Sequence, residues 1–133
     1  TSNTSECWTE LPVMPYKAIG CAAVVKDEKI YLMGGWNSND GYVDTVVVFE
    51  IKTTSWTKQY RMNTPRLNAA AIIHNNKICI IGGQSSRQTF EASVEVWSEE
   101  EEKCIIEKSL ILAIPKSSFG IIKTNKNQLI AIG

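Results

Sequence analysis

Few of the 133 residues have the type and spacing to do chemistry. His74 is the only histidine, in "HNNK", and Cys7, Cys21, Cys79 and Cys104 include no C-x-x-C pair, so no metal-ligand spacing emerges. Carboxylates cluster in "SEEEEK" at 99–102. Acid–base catalysis by paired carboxylates needs opposed groups across a cleft, which neighbours in one turn do not supply. Two glycine pairs, Gly34-Gly35 and Gly82-Gly83, invite comparison with a phosphate cradle. That chemistry needs G-x-G-x-x-G opening a helix, and both the spacing and the helical pattern are missing. The sequence therefore offers no catalytic, cofactor-binding or metal-binding residue. His74 reads as a solvated turn residue and the glutamates as a solvated hairpin end. The cysteines read as reduced, packed thiols, which fits a reducing, cytoplasmic compartment.

Composition narrows the class further. Fourteen basic residues balance 14 acidic ones, so no net field recruits nucleic acid or an anionic membrane. No apolar run approaches the roughly 20 residues that span a bilayer. The N-terminal "TSNTSECW" lacks the basic-then-apolar order of a signal peptide. Asn3-Thr4-Ser5 has the form of a glycosylation acceptor but reads as a chance tripeptide.

What must position any functional residue is a repeat. "KIYLMGG" at 29–35 returns as "KICIIGG" at 77–83, and the chain stops at "QLIAIG". Trp56 follows Trp8, Met62 follows Met14, and Val94 follows Val46, each by 48 residues. The third copy comes late, since Gly133 lies 51 residues after Gly82, with the extra length around "LAIPKSS". Each unit reads as four short strands: "CAAVV", a tight turn at Asp27-Glu28 or Asn75-Asn76, "KIYLM", a polar loop, "TVVVFEI", and "SWTKQY". Asparagine tolerates the positive φ that two-residue hairpin turns demand. The second strand is apolar at successive positions, so both of its faces must be covered.

Four-stranded units of this length, each covered on both faces by its neighbours, are propeller blades. The expected fold is all-β, with antiparallel blades and no substantial helix. Second strands are expected innermost, where glycines allow close approach or a sharp turn. The expected organisation is a fourth strand of a preceding blade at 7–11, complete blades at 17–60 and 66–108, and the first two strands of a further blade at 116–133. That is about two and a half blades, a piece of a closed propeller of about four to eight. With apolar faces and unpaired edges at both ends, the isolated piece is expected to be poorly stable or to self-associate.

The signature resembles the kelch repeat: an apolar strand ending in two glycines, an aromatic on the third strand, and Trp seven residues later. Gly34, Gly35, Phe49 and Trp56 carry it in the first copy, with Phe where the family usually has Tyr. Gly82, Gly83 and Trp97 carry it in the second, where Cys104 stands at the Trp position and should weaken an aromatic contact between blades. The resemblance implies a protein-interaction propeller, most like the substrate-recognition part of BTB–kelch adaptors, in which a separate BTB domain recruits a cullin ubiquitin ligase. An actin-associated or scaffolding kelch protein is the alternative, and a kelch-type enzyme such as a sialic-acid mutarotase the third. In this family partners sit on loops joining second to third strands, here 36–43 and 84–91, and on loops joining blades, here 14–19, 62–67 and 110–118. The partner-binding candidates are Arg66, Trp36, Tyr16, Arg87, Asn37 and Asn39, facing a protein or an acidic peptide. Arg66 follows Pro65, which should hold its loop rigid, and its planar fork suits carboxylates. Tyr42 and Phe90 align at the 48-residue offset and are expected to plug the blade edge instead.

Overall fold

The computed structural model describes residues 7–133, and Asn3-Thr4-Ser5 lies outside the described residues. The first repeat forms β1 (Ala22–Lys26), β2 (Lys29–Met33), β3 (Trp36–Asn37), β4 (Gly41–Tyr42), β5 (Thr45–Glu50) and β6 (Ser55–Arg61). The second forms β7 (Ala70–His74), β8 (Lys77–Ile81), β9 (Gln84–Ser86), β10 (Thr89–Phe90), β11 (Ser93–Ser98) and β12 (Lys103–Ile111). β13 (Gly120–Lys123) and β14 (Leu129–Ile132) complete the described elements, all of which are strands. Two four-stranded antiparallel sheets result, ordered β1-β2-β5-β6 and β7-β8-β11-β12, with β13-β14 as a two-stranded sheet. The turns at Asp27-Glu28 and Asn75-Asn76 have φ of 50° and 60° at both central positions, the left-handed pair that matches strand twist in a tight hairpin.

The meander order corrects which strand is innermost. β2 and β5 are internal to their sheet, and only an edge strand can converge on its counterparts. The first strands do so: β1 lies against β7, and β7 against β13. Their small residues, Ala22, Ala70 and Gly120, suit that crowding. The continuous apolar runs instead mark the middle strands, which neighbouring blades bury on both faces: Ile78 to Ile81 and Val46 to Phe49 are all buried. Residues 7–11 form no strand. A fourth strand needs a third to pair with, and none lies beside this stretch among the described residues.

The core sits between blades. Tyr31, Met33, Val46, Val48 and Met62 of the first pack on Ile78, Ile80, Trp97 and Cys104 of the second. Cys79, Ile81 and Val94 of the second pack on Phe119, Ile121 and Leu129 of the third. Each fully buried aliphatic side chain contributes about 1.5–3 kcal/mol, and a blade alone would gain almost none of it. Ile122, Ile130 and Ile132 are exposed on the third sheet. The chain should therefore self-associate, with a sedimentation mass that rises with concentration; a constant monomer mass would contradict this.

The Trp-to-Cys departure acts within a blade, not between blades. Phe49 and Trp56 are cross-strand neighbours meeting edge-on at 5.1 Å. Cys104 faces Trp97 in the same register of the second sheet. Trp97 finds its aromatic neighbours across the blade interface, in Tyr60 at 4.5 Å and Tyr31 at 6.4 Å. All four cysteines are free. Burial and the nearby Glu95 charge push the Cys104 thiol up to about 12, and burial raises Cys79. A maleimide at pH 8 should label Cys7 and the half-buried Cys21 in the native protein, and Cys79 and Cys104 only after unfolding.

Candidate partner-binding face

At one end of the sheets the two classes of loop are tied together by backbone hydrogen bonds. Gly35 N–H donates to Arg66 C=O (2.8 Å), Val43 N–H to Gly35 C=O (2.9 Å), and Arg66 N–H to Val43 C=O (3.2 Å). The same triangle recurs one blade on: Gly83 N–H to Lys116 C=O (2.8 Å), Glu91 N–H to Gly83 C=O (2.8 Å), and Lys116 N–H to Glu91 C=O (3.2 Å). This is what the glycine pair does. Gly34 and Gly35 take φ of 71° and 107°, and a Cβ on Gly34 would run into the Arg66 carbonyl. Blade n+1 thus enters by pressing its backbone onto the glycines of blade n.

Short ladders build the outer surface of this end. Ile19 bridges to Trp36, and Trp36 pairs with Tyr42 across β3 and β4. One repeat later Leu67 bridges to Gln84, and Gln84 pairs with Phe90. Directly opposed residues of an antiparallel pair point to the same face. Ile19, Trp36 and Tyr42 therefore form one stripe, with Ile19 67% and Trp36 37% exposed, and Phe90 ends the neighbouring stripe at 47%. Phe90 does not plug a blade edge, because its ring is exposed; Tyr42 is half-buried, as a structural side chain would be. Beside the first stripe is a groove of about 420 Å³ lined by Pro15, Tyr16, Asp40, Tyr42, Arg61 and Pro65.

The expected site residues divide. Trp36 and Arg87 are exposed, as is Asn39. Asn37 shapes its loop: its Oδ1 accepts from the Asn39 N–H (2.9 Å) and the Asp40 N–H (2.7 Å). Tyr16 is half-buried and its hydroxyl donates to Gly34 C=O (2.8 Å). Burial, the Cys21 charge and a hydrogen bond with Cys21 all push that hydroxyl's pKa up, so it stays protonated.

Arg66 is a correction. It is fully buried, and so is Glu95, to which its Nε donates at 3.0 Å. Its Nη1 donates to Gly82 C=O (2.7 Å) and Ser93 C=O (3.0 Å), and its Nη2 to Ser93 Oγ (2.7 Å). Glu95 also accepts from the Asn63 backbone N–H (2.6 Å), Asn63 Nδ2 (3.0 Å) and the Thr64 N–H (3.3 Å). Every nitrogen of the fork donates to an acceptor on the second blade, and full burial leaves the side chain out of a partner's reach. Arg66 clamps the loop that joins the two complete blades. The repeat carried a signal for this: 48 residues upstream stand Ala18 and Val47, so both members of the pair depart from the repeat together.

Two further readings change. His74 is half-buried, and its Nδ1 is enclosed without a partner among the described residues. Glu99 and Glu102 do not merely face solvent: they reach to Lys26 (3.2 Å) and Lys58 (2.9 Å) of the first blade. Among the described residues, no group of three or more His, Cys, Asp or Glu side chains is placed to hold a metal ion.

Antiparallel four-stranded sheets stacked face to face, locked by a glycine pair at the end of each second strand, define a β-propeller arc. The chain belongs to the kelch family: the Kelch motif model matches residues 18–63 and 65–110. Among 119 solved chains that match is one titled "Structure of YjhT", with a TM-score of 0.76 and 14% identity. The match covers 88% of this chain and 45% of that one, so this chain spans under half of its length. Comparison with the curated proteins gives no match.

Proposed function

We propose that this arc recognises a protein on its loop face, as kelch repeats generally do, and that it serves as the cytoplasmic substrate-recognition part of a cullin-type ubiquitin ligase adaptor. The observation that carries the binding face is the exposed Ile19–Trp36 pair, backed by half-buried Tyr42 and held on short ladders that the glycine triangle braces. Rigid aromatic side chains set among polar neighbours are the usual anchors of protein interfaces, and a braced loop loses little freedom on binding. Lys17 and Arg87 are the exposed basic groups of these loops, so an acidic peptide would engage them and not Arg66. The adaptor role rests on the resemblance to BTB–kelch proteins.

Trp36→Ala should cost about 2 kcal/mol or more of partner affinity, as a hot-spot residue does, with the melting temperature within a degree or two of wild type. Calorimetric titration against the captured partner checks the first, and thermal unfolding the second. An unchanged affinity would remove the stripe from the interface. Capture with an intact propeller separates the roles: cullin and a degraded substrate support the adaptor, whereas actin filaments would replace it with a cytoskeletal one.

A further inference from the structure

The third sheet repeats the clamp of the second with one half in place. β14 keeps with β13 the register that β8 keeps with β7: Ile132 faces Gly120 as Ile81 faces Ala70, and Ala131 faces Ile121 as Ile80 faces Ala71. On its other edge β8 takes β11, which sets Val94 against Ile81, Glu95 against Ile80 and Trp97 against Ile78. The same edge of β14 has no partner among the described residues. Such an edge presents a row of unpaired N–H and C=O groups ready to pair with another strand.

Lys116 stands where Arg66 stands one blade earlier, at the corner of the same backbone triangle. Its side chain also copies that of Arg66. Lys116 Nζ donates to Gly133 C=O (3.0 Å), on the glycine that follows β14, as Arg66 Nη1 donates to Gly82 C=O (2.7 Å) after β8. Arg66 has a further anchor in the Glu95 carboxylate on β11 (3.0 Å). Lys116 is half-buried, and no carboxylate of the described residues pairs with it. The entry to the first blade, with Ala18 and Val47, has neither charge, so the cation and the carboxylate come as a pair.

A concavity marks a second requirement. Between the complete blades Trp97, two residues beyond Glu95, packs on Tyr31 and Tyr60 of the first. Cys79 and Val96 are the counterparts of Tyr31 and Val48 one repeat on. With Lys77 and Leu110 they line an open hollow of about 210 Å³, where the third sheet has no strand to cover them. We propose that the edge of β14 docks an extended polypeptide strand bearing a carboxylate opposite Ala131 and an aromatic side chain opposite Leu129. Lys116 reads the carboxylate, the hollow takes the ring, and the edge supplies the ladder, as in strand-addition recognition. This site is independent of the loop face.

The test is a fluorescence-anisotropy titration of the full chain into a labelled, capped peptide copying residues 92–98, ASVEVWS, which spaces its Glu and Trp as β11 does. The peptide should bind saturably, and its Glu95→Gln form about tenfold more weakly. Its Trp97→Ala form should also bind more weakly. The Lys116→Met protein should bind the Glu and Gln peptides alike, at the weaker affinity, which a purely apolar edge would not explain. No saturable binding, equal affinity of the two peptides for wild type, or a difference between them that survives in Lys116→Met would overturn the proposal. So would a binding curve that turns over at high protein concentration, because a second copy would then hold the edge.

Discussion

Glu95→Ala should destabilise the protein by about 3–5 kcal/mol, the cost of leaving one partner of a buried ion pair without the other. Glu95 accepts from Arg66, from the Asn63 backbone N–H and from the Thr64 N–H, so its loss strands a fully buried guanidinium and unties the interblade loop. Arg66→Ala should be nearly as damaging for the complementary reason. A double change, Arg66→Met with Glu95→Leu, should recover much of the loss, because two apolar side chains replace two desolvated charges. The first repeat already works this way, with Ala18 and Val47 at the corresponding positions. Urea unfolding of the three variants checks the cycle. A Glu95→Ala variant within 1 kcal/mol of wild type would mean that the pair is not the clamp described here.

The second large effect belongs to the glycine pair. Gly34→Ala puts a Cβ against the Arg66 carbonyl, which accepts from the Gly35 N–H and whose residue is held again through its own N–H by the Val43 carbonyl. The φ of 71° adds a left-handed strain of about 1–3 kcal/mol for a non-glycine residue. Together these should cost about 3 kcal/mol or more and separate the first blade from the loop that follows it. Gly41→Ala is the control. Its φ is 74°, yet nothing lies within 4 Å of the position a Cβ would take. It should show only the strain, about 1 kcal/mol. Equal losses at the two positions, measured by the same unfolding experiment, would show that backbone conformation alone explains the glycines.

The sequence by itself determined the repeat, the all-β class, the tight turns and the glycine signature, because each depends on residues close together in the chain. Two-residue turns need positive φ at Asp27-Glu28 and Asn75-Asn76 whatever surrounds them, and an apolar run such as Ile78 to Ile81 must be covered whichever neighbour covers it. The sequence also located the loops at the ends of the sheets, since strand order fixes which ends carry them. Only the tertiary structure decided what faces out. Arg66 looked like a presented cation because its loop is rigid, but its direction depends on Glu95, 29 residues away and on a different strand, and on the Gly82 and Ser93 carbonyls. The same holds for Glu99 and Glu102, whose lysine partners lie on the other blade, and for the first strands, which line the axis because the sheet order leaves them at its edge. Local pattern settles conformation. Burial and charge pairing are properties of contacts between repeats, and no single repeat contains them.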